Sequence, residues 1–103
     1  MIKVIIEVKT LQKEDLIGRM VISKAGRDTN DLYVVIDLLD DRYALLANGN
    51  SKKVQMPKKK KLKHLVITDV IDQELKNAIL LKDKNVDFKI KRFLKFKGIG
   101  KEV

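Results

Sequence analysis

Gly18-Arg19-Met20-Val21-Ile22-Ser23-Lys24-Ala25-Gly26-Arg27-Asp28-Thr29-Asn30-Asp31-Leu32-Tyr33-Val34-Val35-Ile36 decides the fold of this chain. Both ends of the stretch are apolar and β-branched, and its middle is polar. β-Branched side chains suit extended backbone, so residues 18–23 and 32–36 read as two strands. Residues 24–31 form the loop between them. Gly26 gives that loop conformational freedom, and Asn30 is a non-glycine type that tolerates positive φ.

Working outward, Asp40-Asp41 marks a turn and residues 43–47 a third strand. Asn48-Gly49-Asn50 is a tight turn, because Asn-Gly suits the positive-φ positions of a hairpin. Residues 52–56 read as a short fourth strand, ended by Pro57, which has no N–H to donate. Residues 58–61 read as a basic loop and residues 64–68 as a fifth strand. Five short strands joined by turns predict a small barrel or sandwich. The connections are too short for parallel pairing. Upstream, residues 2–8 read as a strand or N-terminal arm, and residues 10–15 as a polar break. Val21, Val34, Ile36, Leu45 and Val66 are the expected inward positions.

After Asp69 the period changes. Ile71, Leu75, Ala78 and Ile79 fall near helical spacing, with Asp72 as N-cap. Residues 83–85 interrupt the pattern. Val86, Ile90, Phe93 and Leu94 then fit i, i+4, i+7 and i+8, opposite Lys89, Lys91, Arg92 and Lys95. This predicts a basic amphipathic helix starting near Asn85 or Asp87; residues 86–90 also alternate, so a short strand is the other reading. Gly98 and Gly100 end the element. The expected fold is mainly β: an arm (1–14), a small barrel of about five antiparallel strands (15–70), and a short C-terminal helical appendage (71–103), packed on the barrel or tethered to it.

The 103 residues fit one domain. No Cys is present, which excludes disulfides, thiol catalysis and iron–sulfur clusters, and a single His argues against a His-based metal site. No phosphate-binding glycine loop or nucleophile elbow occurs. The expectation is therefore a non-enzyme without cofactor or small-molecule substrate. No apolar run approaches the ~18 residues of a membrane span. The N-terminus mixes Lys and Glu with aliphatics, unlike a signal peptide. Residence in reducing cytoplasm is expected.

Charge is divided unevenly. Residues 1–51 carry seven bases and eight acids, whereas residues 52–103 carry sixteen bases and six acids, a net +10. Residues 52–63 hold seven lysines and residues 89–101 six bases, neither with an acid. Such clusters repel themselves, and a polyanion relieves that repulsion. RNA is the expected partner.

Residues 18–28 followed by 33–36 resemble the KOW motif, in which a glycine-bearing loop joins two strands of an SH3-like barrel. Lys59-Lys60-Lys61-Leu62-Lys63-His64-Leu65, with Thr68 after it, is similar to a second signature of an archaeal and eukaryotic large-subunit ribosomal protein family. The resemblance spans roughly residues 15–70. It implies an SH3-like barrel that binds RNA, often ribosomal, beside ribosomal or translation-associated proteins. Where the family commonly has Lys-Gly late in the loop, this chain has Thr29-Asn30.

The candidate RNA-binding residues are Lys24, Gly26, Arg27 and Asn30 in the loop, Lys52 and Lys53, the clamp Lys58, Lys59, Lys60 and Lys61, then Lys63, His64 and Arg92. His64 reads either as a stacking or phosphate-binding group or as a barrel residue. Tyr33 and Tyr43 read as core first and as stacking platforms second, and Phe88, Phe93 and Phe96 as core or a helix seam. The alternative function is a protein-interaction module using the basic face or the C-terminal helices.

Overall fold

The computed structural model describes residues 12–98. The expected strand over 2–8, and Gly100, lie outside them. The elements in order are α1 (Lys13–Leu16), β1 (Arg19–Ser23), β2 (Leu32–Leu38), β3 (Tyr43–Ala47), β4 (Lys58–Lys61), a 3-10 turn (Leu62–His64), β5 (Leu65–Ile71), α2 (Gln73–Leu80) and α3 (Val86–Lys97). The five strands form one antiparallel sheet in the order β4-β3-β2-β1-β5, with β4 and β5 at its edges. Register shifts between Arg19 and Val21 and between Val35 and Asp37 bend the sheet. The result is the expected class: a mainly β, barrel-like sheet followed by C-terminal helices.

Both faces of the sheet are covered, so two apolar clusters form. Val21, Tyr33, Val35, Leu46 and Ile67 pack inside with Leu16 of α1. Met20, Val34 and Ala47 point the other way, against Leu75 and Ala78 of α2 and Val86, Ile90, Phe93 and Leu94 of α3. Full burial of each valine, leucine, isoleucine, methionine or phenylalanine among them contributes roughly 1.5–3 kcal/mol. The appendage is thus packed on the sheet. α2 starts at Asp72, whose carboxylate accepts from the backbone N–H of Glu74 (2.9 Å) and Leu75 (3.4 Å). Residues 86–90 are helical. No helix of the described residues is long and apolar enough to cross a membrane.

The structure corrects several expectations. Residues 13–15, placed in a polar break, form α1 together with Leu16. Residues 52–56 are turns, because Val54 N–H donates to the Asp87 carboxylate at the start of α3 (2.9 Å) and not to a strand. Residues 58–61 are β4, and Pro57 precedes that strand instead of ending one. Leu45 and Val66 are only half-buried while Leu46, Leu65 and Ile67 are buried. A sheet covered on both faces carries apolar residues at both parities, and alternation no longer marks the inside. Val34 is fully buried but faces the helices, and half-buried Ile36 packs against that same cluster. Phe88 and Phe96 are each 63% exposed, so of the three phenylalanines only Phe93 is core.

Candidate nucleic-acid interface

β4 consists of four consecutive lysines. Pairing with β3 sets Tyr43 opposite Lys61, Ala44 opposite Lys60, Leu45 opposite Lys59 and Leu46 opposite Lys58. Side chains alternate across a strand. Lys58 and Lys60 therefore share the inner face of Ala44 and Leu46, and Lys59 and Lys61 share the outer face of Tyr43.

The inner pair meets Asp28, which is 9% exposed. Lys60 Nζ donates to Asp28 Oδ1 at 2.6 Å and to the Ala25 carbonyl at 2.7 Å. Lys58 Nζ lies 3.1 Å from Asp28 Oδ2. Ser23 Oγ donates to Oδ1 at 2.9 Å and Tyr33 OH to Oδ2 at 2.8 Å. Burial by itself pushes this carboxyl up. The Lys60 ammonium, the Tyr33 and Ser23 hydroxyls and Lys58 together outweigh it and hold Asp28 well below the usual carboxylate range. Burial and the bond to Asp28 push the Tyr33 phenol well above its ordinary value.

These shifts set a pH window. The depressed Asp28 contributes stability that is present above about pH 4 and fades as pH falls below it. The raised Tyr33 contributes stability that is complete below about pH 10 and fades as pH rises beyond it. Urea midpoints across pH should therefore fall at both ends. In Tyr33→Phe the fall above pH ~10 should become shallower; an alkaline limb as steep as the parent's overturns the assignment.

The same cluster shapes the loop. Gly26 and Asn30 hold positive φ, +90° and +77°, as expected. Asn30 N–H donates to the Ser23 carbonyl (2.6 Å), and Lys24 N–H donates to the His64 carbonyl (3.0 Å), which ties the loop to the 3-10 turn. The outer pair sits on an aromatic ring: Lys59 Nζ is 4.5 Å and Lys61 Nζ 6.0 Å from the Tyr43 centroid. A concavity of about 330 Å³ opens here, lined by Ala25, Gly26, Tyr43, Lys58, Lys59, Lys60, Lys61 and His64.

The structure thus brings together candidates from separate parts of the chain. Lys24, Arg27 and Asn30 are exposed on the loop beside the concavity, and Lys63 is exposed on the adjoining turn. His64 is half-buried and lines the concavity. Two groups are not brought in. Lys52 and Lys53 belong to the turn docked on α3, where Asn48 and Gly49 N–H donate to the Lys52 carbonyl. Arg92 lies on α3, its guanidinium 5.5 Å over the Phe88 ring.

Of the lysines expected as a clamp, Lys58 and Lys60 are engaged by an acid from the loop, and Lys59 and Lys61 are not. Asp28 escaped sequence reasoning. Its signal was the pair of hydroxyl residues, Ser23 and Tyr33, five positions to either side on flanking strands. Of the two tyrosines read as core first and stacking platforms second, Tyr33 is buried, whereas Tyr43 is half-exposed under lysines. The chain matches no known protein family model, and no curated protein matches it in sequence.

Proposed function

We propose that this protein is a cytoplasmic RNA-binding protein that contacts structured, ribosomal-type RNA, with ribosomal or translation-associated proteins nearby. It acts by binding, without a cofactor or small-molecule substrate. The observation that most supports this reading is the concavity that joins the glycine loop, Lys59, Lys61, His64 and Tyr43. Lys59 and Lys61 rest on the Tyr43 ring, so they meet phosphates with reduced ordering cost. Recognition rests on shape and phosphate contacts. The resemblance to KOW proteins points the same way. The protein-module alternative draws less support, because Phe93 and Leu94 are buried on the sheet and do not form an open seam with Phe96.

Co-sedimentation with ribosomal subunits over a salt series tests the proposal, with free RNA and an acidic protein as competitors. Association that survives moderate salt and resists the acidic protein is the expected result; release by any polyanion at low salt overturns it. Lys59→Ala with Lys61→Ala should weaken binding and flatten the log–log salt slope by roughly 0.7–0.9 per lysine, with the fold intact. A folded double variant with parental affinity and slope removes this surface from the site.

A further inference from the structure

A second cleft lies between α2 and α3, away from the lysine strand. Its volume is about 190 Å³, and Glu74, Leu75, Arg92, Phe93, Phe96 and Lys97 line it. Pockets that hold whole small molecules run ~300–1,000 Å³, so this one suits a single planar group. The floor is apolar, since Leu75 and Phe93 are buried. Phe96 also lines the cleft, at 63% exposure.

The charged groups around the cleft divide by what already engages them. Asp72 caps α2. Lys89 is paired with Asp83 at 2.6 Å. The Glu74 carboxylate and the Lys97 ammonium carry no hydrogen bond or ion pair among the described residues, and Arg92 engages only the face of Phe88. The opening is therefore lined by an aromatic ring and a guanidinium, with cations from α3 and a carboxylate from α2.

That combination matches one nucleotide. Aromatic and guanidinium planes stack on a base, cations meet its phosphate, and a carboxylate has two acceptor oxygens and no donor. Among unpaired bases, guanine presents adjacent N–H donors on its Watson–Crick edge. Adenine presents an acceptor beside its amine, which a carboxylate repels. We propose that the α2–α3 cleft binds one unpaired guanine of an RNA strand, stacked on Phe96 beside Arg92 and read by Glu74. This rests on the RNA-binding reading and adds a base-specific contact to it.

The test measures fluorescence-anisotropy affinities of the full chain for three labelled RNA nonamers. One is all uridine, one carries a single central guanosine and one a single central adenosine. A bidentate base contact discriminates by ~1–3 kcal/mol. The guanosine strand should accordingly bind about tenfold tighter than the other two. Phe96→Ala, an exposed change, should bring it to the uridine level. Glu74→Gln, which offers one acceptor and one donor, should shift the preference from guanosine to adenosine; a merely structural role for Glu74 would not. Lys59→Ala with Lys61→Ala should weaken all three alike. Equal binding of the three strands by the parent, unchanged in both cleft variants, overturns the cleft while RNA binding stands. No binding of any strand, together with loss of co-sedimentation, overturns both.

Discussion

Asp28→Ala lowers the folding stability by about 3–5 kcal/mol, the range expected when one partner of a buried ion pair is removed. The carboxylate satisfies four donors, from Lys60, Lys58, Ser23 and Tyr33. Without it the Lys60 side chain, itself only 9% exposed, holds an ammonium in the interior with no counter-charge. The Tyr33 and Ser23 hydroxyls lose their acceptor as well. The loss should appear in urea unfolding followed by circular dichroism. Adding Lys60→Met to Asp28→Ala should recover part of it, since a charge is then replaced by an apolar stem of similar length. A single variant within about 1 kcal/mol of the parent would show that water or rearranged side chains replace the carboxylate. Recovery by the double variant, in contrast, isolates the uncompensated charge as the cause.

The second large effect is expected at Gly49. This residue lies at φ +77° in the turn that follows β3, directly against the first turns of α3. A Cβ there would stand 2.8 Å from Lys91 N and press on the Asp87 carbonyl, both backbone atoms of the helix. Positive φ costs an L-residue roughly 1–2 kcal/mol, before any clash. The helix cannot step aside cheaply, because Val86 and Ile90 anchor its inner face in the core. Gly49→Ala should therefore cost about 3 kcal/mol, read as a lower thermal midpoint. Asn50→Ala, at the exposed neighbour, should stay within about 0.5 kcal/mol. Equal midpoints for Gly49→Ala and the parent would refute the close approach of turn and helix.

Much of the architecture was legible. β2 and β3 stand out because β-branched and aromatic residues gather between turn residues, and α2 because Asp72 precedes an apolar period of 3.6. What misled was residues whose partners lie far away in sequence. Four lysines in a row show no alternation, so the strand they form became visible only through β3 on one side and Asp28 on the inner face. Val54 looked like part of a strand, yet its N–H goes to Asp87, thirty-three positions on. Leu45 and Val66 sit one position out of step with the buried Leu46, Leu65 and Ile67, and with apolar residues at both parities the alternation does not mark which one faces in. For the site, the basic residues were readable from charge alone. Which of them Asp28 engages is a tertiary fact, and it moves the outward chemistry from the whole run to Lys59, Lys61 and the ring of Tyr43.

The strand of four lysines has one more consequence, for self-association. An open sheet edge offers unpaired N–H and C=O groups to any passing strand, and lysines along such an edge discourage that encounter. Two copies meeting through β4 would align eight ammonium groups against two inward carboxylates, counting four lysines and one Asp28 from each. Edge-to-edge growth is thereby disfavoured on this side at low salt and less so as salt rises. A strand that extends the sheet here must carry its own carboxylates. Among the described residues the other edge is β5, whose seven residues carry no base.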